Sequence, residues 1–283
     1  MAREPTQRVT RDVTARGVRM RVLEAGEGQG PPVMLIHGFL AGHQVFDDVL
    51  DELAQHFHVI APDLPGFGAS EKPSPSRYDY AVETFTEAVA DLIAAYGLGR
   101  AFVVGHGLGG AIGITLAAHY AELVTRLVVV GPHCYPHPPN RQLRMALWPV
   151  VGSVAFKQLF GRRSFRSYFK DEVFLRGNTC PLDRVDAFYE SFNSPAARES
   201  AYAVFRAMLD TRPIVARIAR IRHPTLVAWG RDDRIYPAAF ALKLAREIPD
   251  ARLELFDAGH SPQEEQPYEF VNVVREFFEG RRG

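Results

Sequence analysis

The chain has 283 residues, with 33 basic side chains against 33 acidic ones, so no global field favours nucleic acid or strongly acidic ligands. A hydrophobic share of 47% and a charged share of 23% suit an ordinary globular protein able to bury a sizeable core. Cys134 and Cys180 are too few for a disulfide framework and read as free thiols. The charged start lacks the apolar core of a signal peptide, and no apolar run reaches about 18 residues. The expectation is a cytoplasmic monomer or homodimer without a transmembrane segment.

Taken in order, Val18 to Leu23 alternate as a strand, and Val33 to Ile36 form a continuous apolar run suited to a strand covered on both faces. Phe46 to His56 read as a helix and His58 to Ala61 as another buried strand, which enters the breaker-rich loop Pro62 to Ser70. An amphipathic helix over Thr84 to Tyr96 leads to the strand Phe102 to Val104. Further buried strands fall at Leu127–Val130, Thr225–Trp229 and Leu253–Phe256, with a last helix around Tyr268–Phe278. Strands alternating with helices predict an α/β fold, a mostly parallel twisted sheet flanked by helices. Between Gly131 and Pro224 only helical patterns occur, over about Arg141–Phe160, Ser164–Phe174, Leu182–Phe192 and Pro195–Leu209. That stretch reads as a helical cap, residues 133–215, inserted after the sixth strand and dividing the core domain into 1–132 and 216–283.

The most informative stretch is Gly105-His106-Gly107-Leu108-Gly109-Gly110, placed between a strand and a helix. Small residues there permit a turn so sharp that a Cβ would clash, the layout of a nucleophile elbow. Four more motifs accompany it: HGF at 37–39, PDLPGFGAS at 62–70, WGRDDRIYP at 229–237 and AGHSPQEEQP at 258–267. With these five in order, each at a strand end, the chain from about Val18 onward resembles the α/β-hydrolase superfamily, in its helical-cap branch.

The resemblance implies roles for particular residues. Asp233 matches the family's acid and His260 its general base, while the backbone N–H groups of Phe39 and Leu108 match an oxyanion hole. His106 matches a residue whose side chain points away from the site. Gly107 stands where a serine, or sometimes an aspartate or cysteine, would attack. Three readings follow. The chain is a hydrolase of esterase, thioesterase or C–C bond type, inactivated or attenuated at its nucleophile. Alternatively it is a serine-less enzyme that uses His260 and Asp233 as a general base, as a lyase, cyclase or water-activating enzyme, or it is a ligand-binding pseudoenzyme. An aspartate-nucleophile parent, an epoxide hydrolase or dehalogenase, is a weaker reading. Haloalkane dehalogenases typically carry tryptophan after the nucleophile, where this chain has Leu108.

Trp148, Phe156, Phe169 and His133 are the candidates for lining a pocket, and the many aromatics of the cap favour a small apolar or aromatic substrate. From Arg141 to Lys170 the chain carries seven basic residues and no acidic one. That run is either a solvated face or a docking surface for an acyl carrier, a membrane or a phosphate-bearing substrate. His37 and Asp63 read as residues that order their loops. No dinucleotide fingerprint, H-E-x-x-H or paired-cysteine motif is present, so neither a cofactor nor a metal is expected.

Overall fold

The computed structural model describes residues 6–139, 143–148, 151–177 and 179–280. Eight strands form one sheet: β1 (Arg8–Ala15), β2 (Val18–Ala25), β3 (Pro32–Ile36), β4 (His58–Pro62), β5 (Ala101–His106), β6 (Val124–Val130), β7 (Thr225–Gly230) and β8 (Ala251–Phe256). Their order is β1-β2-β4-β3-β5-β6-β7-β8. The β1–β2 and β2–β4 pairs are antiparallel and all other pairs are parallel, so β2 alone runs against the rest. The expected α/β class and mostly parallel sheet are therefore present.

Side-chain alternation divides the central strands between two cores. Leu35, Val104 and Val128 face one, and Ile36, Val103 and Leu127 face the other. Helices α1 (Asp47–Leu53), α2 (Val82–Ala95) and α3 (Leu108–His119) cover the first half of the sheet. Between β6 and β7 every described element is helical. These are α4 (Gly152–Val154), α5 (Arg162–Ser167), α6 (Leu182–Phe192), α7 (Pro195–Ala207) and α8 (Arg212–Ile218), with a short 3-10 turn at Arg144–Leu147. Then α9 (Ala239–Glu247), α10 (Pro262–Glu265) and α11 (Pro267–Phe278) complete the chain.

The sequence reading is amended at two places, by an added strand and by broken helices. The charged start is a strand, β1, joined to β2 by Arg16 and Gly17, both at positive φ as a tight hairpin turn requires. It is an edge strand with mostly exposed side chains, so it carries no apolar alternation, and its charges protect the open edge. The second correction concerns the helices read over Arg141–Phe160 and Ser164–Phe174. They are broken pieces, and α4 and α5 each run on into a π-helical turn, Ala155–Leu159 and Tyr168–Val173. Arg141 of the basic run lies outside the described residues.

Candidate active site

The elbow is built by close backbone approach. A Cβ on Gly105 would lie 2.2 Å from the Gly109 carbonyl, and one on Gly109 would lie 2.0 Å from that of Ile36. These glycines let α3 start directly against β5. Gly107 caps α3 with φ 55° and ψ −111°, in the left-handed half of backbone space. Its N–H donates to Val130 (2.9 Å), and its carbonyl accepts from His133 N–H (2.9 Å), which fixes the turn to the end of β6.

Asp233 and His260 come from the loops after β7 and β8. The Asp233 side chain is fully buried. One of its carboxylate oxygens accepts from the N–H groups of Ile235 (2.7 Å) and Tyr236 (2.9 Å), and the other from His260 Nδ1 (2.8 Å). Nδ1 therefore carries the proton, which leaves Nε2 with a lone pair. That lone pair faces the elbow: a Cβ on Gly107 would sit 3.3 Å from His260 Nε2 and 3.7 Å from the Gly38 Cα. The neighbouring Asp232 is exposed.

Leu108 follows Gly107, and Phe39 follows Gly38, whose Cα lies 3.7 Å from the Gly107 Cβ position. Among the described residues neither the Phe39 nor the Leu108 backbone N–H meets a backbone acceptor, and both residues line the same cavity. His37 holds the Phe39 loop. Its Nδ1–H donates to the Gly38 carbonyl (2.7 Å), and its Nε2 accepts from the Leu64 N–H (2.9 Å). Burial pushes His37 down to about 4, so the ring stays neutral and keeps both bonds. Asp63, also buried, accepts from His43 N–H, His43 Nδ1 and Ala69 N–H, and so pins the loop after β4.

The cavity over these groups has a volume of about 340 Å³. Of the expected lining residues, Phe169 and His133 border it, whereas Phe156 and Trp148 do not. Phe156 is wholly buried, packed between Phe160 and Phe205, and Trp148 is 58% exposed. Aromatic content identifies a helical region but not the direction of each ring. His133 is fixed by two bonds: Nε2–H donates to the Met208 carbonyl (2.7 Å), and Nδ1 accepts from the Tyr236 hydroxyl (2.8 Å). Burial pushes it down to about 4. His106 is closer to the site than the resemblance implies. Its ring lies 4.7 Å from that of His260, and Nε2–H donates to the His260 carbonyl (2.9 Å), so it props the loop.

Several residues at the site carried no assigned role in the sequence. Val173, on the inserted helices, accepts the His260 backbone N–H (2.6 Å). Glu265 accepts from Gly259 N–H (2.7 Å) and Leu175 N–H (2.8 Å), stitching the same segment to the His260 loop. Glu264 borders the cavity and pairs with Arg184 (2.7 Å), and burial pushes it up to about 7 against the pull of that guanidinium. The acidic pair in the 258–267 motif was the available signal for both glutamates.

Comparison with known proteins gives the chain a family. A family model described as alpha/beta hydrolase fold matches residues 31–267. The chain belongs to the α/β-hydrolase fold family. Within the family, it is 31% identical over 280 residues to a 2-hydroxymuconate semialdehyde hydrolase of a Pseudomonas species, covering 95% of this chain and 93% of that protein. It is 30% identical over 270 residues to haloalkane dehalogenase 2 of Mycobacterium bovis, covering 92% of each. Among solved structures, 2-hydroxy-6-oxo-6-phenylhexa-2,4-dienoate hydrolase from a Rhodococcus species superposes with a TM-score of 0.84 at 25% identity, over 97% of this chain and 99% of that one.

Proposed function

We propose that the chain is an α/β-hydrolase scaffold for a small apolar substrate, of esterase, thioesterase or carbon–carbon bond hydrolase type, with its own chemistry limited to general-base steps. One observation carries this reading: the Cβ direction of Gly107 leads to His260 Nε2 at 3.3 Å, so the residue in the attacking position has nothing to attack with. In this reading Asp233 holds the Nδ1–H tautomer of His260 and stabilises the imidazolium when Nε2 takes a proton. The proton comes from a water molecule, whose oxygen bonds to the substrate carbonyl carbon. Charge then gathers on the carbonyl oxygen, which the Phe39 and Leu108 N–H groups receive. As the tetrahedral intermediate collapses, His260 returns the proton to the leaving group. Phe169 and His133 line the substrate side, and residues 133–215 act as the cap.

The dehalogenase relative invites an aspartate-nucleophile reading, but Leu108 follows Gly107 where the halide-holding tryptophan would be needed. The test compares the chain with Gly107→Ser on aryl esters of increasing acyl length, with intact mass after a serine-directed phosphonate. The serine variant should gain a covalent adduct and at least about 10²-fold in turnover, while the Gly107 form shows no adduct. A serine variant with neither adduct nor turnover at any acyl length overturns the esterase-type reading.

A further inference from the structure

Residues 143–148 and 151–160 pack together as a unit with two apolar faces. Leu143, Ala146, Gly152, Ala155, Phe156 and Phe160 are buried, as expected of an inner face. Leu147, Trp148, Val151, Val154 and Leu159 point the other way and are between 41% and 67% exposed. Ten large hydrophobic residues are exposed among the described residues, and these five fall within one short segment. Scattered exposed aliphatics need no explanation, but a cluster on packed neighbouring elements does.

The sequence that carries this face has a one-sided charge. Seven basic residues and no acidic one lie between Arg141 and Lys170 in the sequence. Acidic residues of α6 and α7 answer part of that charge: Arg162 and Arg166 pair with Asp186, Arg162 also with Glu190, and Lys157 approaches Glu199 at 3.8 Å. Arg144, Arg163 and Lys170 form no salt bridge among the described residues, and Arg144 and Lys170 are exposed.

We propose that the outer face of Leu147, Trp148, Val151, Val154 and Leu159 docks on an anionic membrane surface. Aliphatic side chains of this size enter the boundary between headgroups and acyl chains, tryptophan favours that boundary, and unpaired arginine and lysine meet the anionic headgroups. A second copy of the chain fits less well. A two-fold interface would press the same patch against itself and crowd its basic residues into one contact. An acidic carrier protein would answer the arginines and leave the apolar cluster uncovered. The same unit also borders the cavity through Leu143, so an apolar ligand leaving the bilayer would meet the cavity wall directly. The proposal does not depend on the chemistry available at Gly107.

The chain contains its own reporter. Of its two tryptophans, Trp229 is fully buried and Trp148 is 58% exposed. With vesicles of phosphatidylcholine and phosphatidylglycerol, the Trp148 emission should shift to the blue and the protein should sediment with the lipid. Salt should weaken both effects. The double variant Val154→Glu/Leu159→Glu should lose at least about tenfold in partitioning, because two apolar side chains no longer leave water. Both positions are exposed, so folding is unaffected, and the emission of buried Trp229 in Trp148→Tyr checks this. Four results each overturn the proposal: no partitioning onto anionic vesicles, partitioning equal on phosphatidylcholine alone, partitioning unchanged in the double variant, and a concentration-dependent blue shift without lipid, which would assign the face to a second copy.

Discussion

At the scale of one residue, Gly107 combines two roles that a side chain would set in conflict. Its φ of 55° with ψ of −111° is a conformation that residues with a Cβ adopt only under strain. A Cβ there also meets His260 Nε2 at 3.3 Å, closer than most such contacts. Gly107→Ser should therefore lower stability by about 1–3 kcal/mol even as it supplies an attacking oxygen. Gly107→Ala should cost a similar amount and gain no adduct. Urea midpoints of the three proteins check this, and equal midpoints would mean that the elbow relaxes without strain. The residues involved were legible in the sequence because the elbow, Asp233 and His260 lie in short motifs whose spacing survives without knowledge of the fold. Trp148 and Phe156 were misplaced because composition counts rings without giving their direction. That direction depends on helix breaks and π-turns, which leave little trace in the spacing of apolar residues.

At the scale of elements, the helical insertion is tied to the sheet by polar contacts that cross between them. Arg184 on α6 reaches Asp48 on α1 (2.8 Å) and Glu264 on α10 (2.7 Å). Burial raises Glu264 to about 7 from an ordinary 4.5. A carboxyl raised on folding contributes stability that is full below about 4.5 and is lost as pH rises through about 7. Relative to Glu264→Gln, which has no proton to lose, the chain should lose stability between pH 5 and pH 8, by about 3 kcal/mol at most. Urea midpoints across that range test it. A difference that does not vary with pH would mean that Arg184 keeps the carboxylate ionised throughout. Such ties were hidden in the sequence, since Asp48, Arg184 and Glu264 are far apart along the chain and no local pattern links them. The edge strand β1 was hidden for another reason: most of its side chains stay exposed, so it needs no apolar alternation.

At the scale of the whole molecule, the two faces of the sheet are not equivalent. One core joins the sheet to α2, α3 and α9 and takes in only a few insertion residues, among them Val204 and Ile214. The other runs from Leu35, Val104 and Val128 through α11 and on into the aromatics of the insertion, including Phe156, Phe160 and Phe165. Sheet and insertion therefore share a continuous apolar cluster and should unfold together. Phe156 and Phe169 probe this cluster differently. Phe156 is enclosed by Phe160, Phe192, Tyr202 and Phe205, at ring separations of 5.6 to 6.0 Å, and does not border the cavity. Phe169 touches Phe165 and Phe188 on one side and borders the cavity on the other. Phe156→Ala should cost about 3–5 kcal/mol in one cooperative transition. In the Gly107→Ser background it should leave the accepted acyl length unchanged. Phe169→Ala in that background should widen the cavity and move the profile toward bulkier acyl groups. If instead Phe156→Ala shifts the acyl profile, or melts the insertion in a separate step, the insertion is an independent body and the cluster does not join it to the sheet.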